Sequence, residues 1–200
     1  MTAAVFDLIA NVEMVHRDKD GNIKQIFQEN KLGDFLIRKG IVSPLWINSP
    51  FLKFLFSPIM GKWSASKLTH NLVVDAGKAG VASRINGAGG EALFDKIGQG
   101  VGTVAAAAGD TALGTEKDAS NTTTTTHAIS AATATRVTTT VTNDTAQLVG
   151  TISELATMAI TESGVFNAAT AGTMLCRQVF SAINVVSGDS IQFTWKIKAA

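Results

Sequence analysis

The stretch Ile191-Gln192-Phe193-Thr194-Trp195-Lys196-Ile197-Lys198 alternates apolar and polar side chains without exception. Only an extended strand sends successive side chains to opposite faces, so this segment is a strand with one face in a core. Upstream, Thr133 to Val141, Leu148 to Leu155, Met158 to Phe166 and Met174 to Phe180 are further strand-like runs. Turn residues separate them at Asn143-Asp144, Asn167 to Gly172 and Ser187-Gly188-Asp189. Short strands at this spacing specify an antiparallel sandwich or small barrel. The expected class is mainly β: an antiparallel β-sandwich, immunoglobulin-like or jelly-roll-like, with one short helix.

Composition narrows the function. Between Asn121 and Trp195 the charged residues are only Arg136, Asp144, Glu154, Glu162, Arg177 and Asp189, while Thr and Ala dominate. Disorder comes with high charge and few apolar residues, whereas β-branched residues here point to sheets faced with hydroxyls, a surface suited to contact with another subunit. A single Cys excludes an internal disulfide. A net charge of +1 argues against a general nucleic-acid binder, which needs clustered cations to replace the counterions around phosphate. Met1 to Ala10 lacks a basic leader and carries Asp7, which predicts synthesis in the cytosol. The apolar region Ile41 to Trp63 is interrupted by Pro44, Pro50, Lys53 and Pro58, so no membrane span is expected.

The N-terminal part reads differently. Val5 to Glu29 has apolar runs on either side of Asp18-Lys19-Asp20-Gly21-Asn22, the pattern of a hairpin whose Asp-Gly turn uses a positive φ. The same turn fails as a calcium loop, because His16 and Phe27 fall where the first ligand and the bidentate Glu are required. Leu32 to Ile41 has the spacing of a short helix stopped by Gly40. The Pro-punctuated arm that follows carries Trp46, Phe51, Phe54, Phe56 and Trp63. Two readings are open for these rings: a local core under the hairpin, or a pre-ordered docking surface for a partner. Ser64 to Lys67 is the expected linker, dividing the chain into a hairpin and attachment arm (1–67) and a β-sandwich domain (68–200). Val73 to Ile85 has helical spacing, and Gly77 and Gly80 on it suit a helix pressed against a sheet.

No catalytic constellation is apparent. His16, His70 and His127 fall in three separate segments, and Cys176 has no second thiol or adjacent His, so catalytic, metal and cofactor sites are all expected to be absent. Gly98-Gln99-Gly100-Val101-Gly102 lacks the third glycine and the later βαβ pattern of a dinucleotide fingerprint. Glu162 is the odd residue. Alternation places it on a strand face with Met158, Ile160 and Phe166, where an unpaired carboxylate is costly, so a partner is expected in Arg177 or in backbone N–H groups near Gly164.

Three blocks together resemble a family of tailed-bacteriophage structural proteins: His70 to Gly77, Ile97 to Gly102 with Ala105–Ala108 and Gly109 to Leu113, and Ile160 to Ala169 followed by Gly172 to Phe180. The likeness spans roughly Leu68 to Lys198. It is most specific in the ESGVFNAA, GTMLCRQVF and SGDSIQFTWKI series, and departs from the family pattern at Glu154 and at Thr122–Thr126. The resemblance implies a virion component with a β-sandwich module, made in the host bacterial cytoplasm. Its expected place is a capsid decoration or minor head protein, anchored through the N-terminal segment to the major capsid protein and assembled as a dimer or trimer. The alternative is a neck, baseplate or fibre-attachment protein of the tail. A carbohydrate- or receptor-binding module is a third reading, weakened by the few aromatic residues beyond Leu68.

Overall fold

The computed structural model describes residues 8–127 and 132–199. In chain order these form β1 (Leu8–Arg17), β2 (Ile23–Lys24), β3 (Ile26–Glu29), α1 (Lys31–Arg38), a 3-10 helix (Pro44–Asn48), α2 (Pro50–Met60), β4 (Gly61–Ser64), β5 (Lys67–His70) and β6 (Leu72–Val73). After them come α3 (Asp75–Asn86), β7 (Lys96–Gly100), β8 (Glu116–Lys117), β9 (Thr133–Val137), β10 (Thr145–Ser153), β11 (Met158–Phe166), β12 (Met174–Val185) and β13 (Ser190–Ala199). The class is mainly β and sandwich-like, with antiparallel sheets.

The alternating segment is the centre of the larger sheet, whose order is β2-β1-β13-β10-β9 with β5 also on β1. Cross-strand neighbours fill one face in rows: Val12, Trp195 and Leu148 lie side by side, as do Ala10, Ile197 and Ala146. The second sheet, β6-β12-β11-β7-β8, covers that face. Its Ile97, Ile160, Val165, Cys176, Phe180 and Val185 meet Val12, Met14, Phe193 and Trp195 in one core. Such interdigitation of two inner faces is what the period of two dictates. α3 lies against β12 at Gly77, where a Cβ would sit 2.2 Å from the Leu175 carbonyl oxygen, so the glycine is a close-approach residue.

The hairpin turn forms as its sequence requires. Gly21 has φ +85°, and Asp18 Oδ1 accepts from the backbone N–H of Asp20 at 2.9 Å and Asn22 at 2.8 Å. The expected start of that hairpin at Val5 lies outside the described residues.

Three expectations are corrected. The division at Lys67/Leu68 does not follow the architecture, because β1 pairs with β13 from Leu8↔Ala199 to Arg17↔Ser190 and so belongs to the sandwich. Ser64 to Lys67 is not a free linker: Lys67 is fully buried in β5, with its ammonium on the Phe27 carbonyl at 2.9 Å and on Glu29 at 2.5 Å. The Pro-punctuated arm forms a 3-10 helix followed by α2, which gives three α-helices among the described residues where one short helix was expected in the sandwich and another at Leu32 to Ile41. The last of these is α1, capped by Asn30 Oδ1 on the N–H groups of Leu32 and Gly33.

A second apolar cluster explains why the N-terminal helices stay in place. Phe27, Ile37, Trp46, Ile47 and Met60 pack on Val179 and Ala182 of β12, whose Phe180 and Ile183 belong to the main core. A chain starting at Ser66 therefore loses β1 and the cover of β12. It is expected to give no cooperative thermal transition by circular dichroism, and a sharp melt would show that the sandwich stands without them.

Candidate functional site

The arm is ordered by its prolines. Pro44 and Pro50 occupy the first turns of their helices, where the missing N–H has no intrahelical partner to lose and φ is already helical. Ser43 Oγ accepts from Leu45 N at 3.3 Å and Ser49 Oγ from Leu52 N at 3.4 Å, completing both N-caps.

The spacing of apolar residues in α2 then produces two stripes. Leu52, Phe56 and Met60, four apart, face the second core. Phe51, Phe54, Leu55 and Ile59 follow the i, i+3, i+4, i+8 pattern on the opposite side and are 71%, 83%, 44% and 53% exposed. An ordinary surface helix is polar on that side.

The five aromatic candidates separate accordingly. Trp46 is buried: its ring meets Phe27 edge-on at 4.9 Å and Phe56 at 6.1 Å, and Nε1 donates to Ser181 Oγ at 3.2 Å. It is a core residue and cannot touch a partner. Phe56 is half-buried in the same cluster. Trp63 is partly exposed, packed edge-on to Phe27, with the Lys53 ammonium 4.5 Å above its ring. Phe51 and Phe54 remain as the exposed rings. Beside α2 runs a groove of about 660 Å³ bounded by Ile47, Pro50, Lys53, Met158, Val185 and Val186.

Glu162 and Arg177 meet on the second sheet. A register shift between Ile160 and Glu162 turns the carboxylate to the outer face with Phe166, so it does not share a face with Met158 and Ile160. Arg177 donates to Glu162 Oε2 from Nε at 2.9 Å and Nη2 at 2.7 Å, and to Asp110 from Nη1 at 2.7 Å. The backbone N–H groups that complete the site belong to Gly102 at 2.9 Å, Gly114 at 2.9 Å and Thr115 at 2.8 Å, rather than to the region of Gly164. The glycine run of 98–102 acquires its reason here. A Cβ on Gly102 would lie 2.3 Å from Glu162 Oε1, so the run makes room for a carboxylate of the chain itself.

The remaining buried polar groups are spread through the fold. Burial lowers the Lys67 ammonium below the ordinary lysine range against the pull of Glu29. Burial also lowers His16, which sits 2.8 Å from Asp189 Oδ2, a carboxylate shared with Lys24 at 2.9 Å. His127 is 2.8 Å from Glu116 and stacked on Phe166, while His70 is 2.6 Å from Asn11. Cys176 lies in the main core, where burial pushes its thiol far up. Glu154 is buried just beyond β10. Burial pushes it up to about 7, opposed by Gln99 Nε2 at 3.2 Å. Sequence patterns gave no signal for Lys67 or for the pairing of Glu154 with Gln99. Among the described residues, no group of three or more His, Cys, Asp or Glu side chains could hold a metal ion, and no helix is long and apolar enough to cross a membrane.

Compared with known proteins, the chain matches no family model, no curated protein and no solved structure. The stripe of α2 is exposed apolar surface, while the buried ions Lys67, Glu162, Arg177 and Asp189 are held in pairs.

Two substitutions test these assignments. Glu162→Ala strands a buried guanidinium and three N–H groups, so denaturant unfolding is expected to show a loss of about 3–5 kcal/mol; a midpoint equal to the parent's would contradict the pairing. For Glu154, the folded chain holds its proton to higher pH than the unfolded chain, so stability falls as pH rises from its ordinary value of 4.5 to about 7 and then levels off. Glu154→Gln is expected to raise the melting temperature at about pH 8 by roughly 2–6 °C and to leave it nearly unchanged at about pH 4.

Proposed function

We propose that this chain is a non-enzymatic assembly protein of a virus particle, a capsid-decorating or minor head component that attaches through the outward face of α2. The observation that carries this reading is the stripe of Phe51, Phe54, Leu55 and Ile59, held open to solvent on a helix whose other side is anchored in the core. A folded chain gains nothing by displaying two phenylalanines and two large aliphatic side chains together. A partner that buries them gains the hydrophobic contribution without ordering a loop, because the prolines and serine caps have already fixed the helix. The sandwich supplies a hydroxyl-rich body, and the resemblance of residues 68–198 to tailed-bacteriophage structural proteins supplies the setting. Such a component is made in the bacterial cytoplasm and ends in the virion, in symmetric copies.

Two measurements test the proposal. Quantitative mass spectrometry of purified particles counts this chain against the major shell protein. Numbers comparable to the shell protein support decoration, numbers fitting a single ring move it to the neck, baseplate or fibres, and absence overturns the reading. The double variant Phe51→Ala with Phe54→Ala is expected to melt like the parent and to enter particles roughly tenfold less or worse. Undiminished incorporation would exclude α2 as the attachment face.

A further inference from the structure

We infer that the surface receiving α2 is a protein groove whose rim carries carboxylates; this rests on the docking reading above and specifies its partner. The argument begins with charge. Between Asn30 and Ser66 the chain has five cations, Lys31, Arg38, Lys39, Lys53 and Lys62, all exposed, and one carboxylate, Asp34, which Arg38 already holds at 3.5 Å. The whole chain nets only +1, so positive charge is concentrated in the segment from α1 to β4, which contains the apolar stripe of α2. Lys53 lies within α2 and lines the groove beside it, and Lys62 follows the end of α2 by two residues.

Shape adds to charge. Anchors at i, i+3, i+4 and i+8 are the spacing with which one helix face enters an apolar groove. Alongside the ridge of α2, the depression between Pro50, Lys53, Met158 and Val185 has to be filled by a corrugated surface, which a protein provides and a smooth bilayer does not. A second copy of the chain paired across a two-fold axis would bring the same cations face to face, which is repulsive. An acidic rim instead steers encounter and fixes register, while the apolar floor supplies affinity.

The experiment uses particles assembled in the absence of this chain, to which the purified full-length protein is added. Binding of the parent is expected to fall at least roughly tenfold when salt rises from ~50 to ~500 mM. Lys53→Glu with Lys62→Glu is expected to weaken low-salt binding by a similar factor, with Lys53→Gln intermediate and all variants melting like the parent. A parent that binds no particle at any salt overturns the assembly reading itself. A parent that binds indifferently to salt and to charge reversal leaves that reading in place and overturns the acidic groove. Two further outcomes also overturn it: flotation of the parent, but not the charge-reversed variant, with vesicles of equal phosphatidylglycerol and phosphatidylcholine, or Phe54-dependent self-association in sedimentation.

Discussion

Glu162 has to be answered from several directions because its carboxylate is sealed from water on the outer face of a sheet. Two bonds from Arg177 and three from backbone N–H groups do so, and each donor commits a different part of the chain. Residues 101–115 contain no strand or helix, and a stretch of that length is normally loose. Here it is tied at both ends to one carboxylate and in the middle to Arg177, through Val104 O at 3.0 Å and Asp110. Asp75 N donates in turn to Ala108 O at 2.8 Å, which joins the start of α3 to the same strap. Replacing the ion pair by apolar residues of equal volume could preserve stability, yet it would release the strap, so the pair acts mainly by specifying one arrangement.

β12 is the strand on which these devices converge, and all of it except Asn184 is buried. Its inner side chains complete the sandwich, Arg177 holds the strap, and Val179, Ser181 and Ala182 seat the N-terminal helices. The Lys67 and Glu29 pair reinforces that seat from beneath, since the N–H of Ser181 donates to Glu29 Oε1 at 2.9 Å and its hydroxyl binds the same oxygen. The outward stripe of α2 is therefore presented from a base fixed by core packing and buried polar contacts together.

What could be read from the chain alone followed from local rules. Strict alternation identified β13, the Asp-Gly step identified the first turn, and a lone Glu opposite a lone Arg in a charge-poor sheet identified a pair. Non-local facts were not legible. Nothing in Leu8 to Arg17 says that its neighbour is β13, and nothing around Lys67 distinguishes a buried ammonium from a solvated one. The helices of the arm were not legible either, because Pro44 and Pro50 start helices in their first turns, and whether a Pro starts or breaks one depends on the capping serine before it. The face of Glu162 was misjudged because the pairing of β11 with β12 slips between Ile160 and Glu162, from Ile183 to Val179, which no count by twos can detect.

The pairing of β1 with β13 joins segments at opposite ends of the described chain. The entropy of closing so long a loop is spent before most of the core forms, which places this fold among the slow, non-local folders. During that interval the α2 stripe and the incomplete sheets expose apolar surface at the same time.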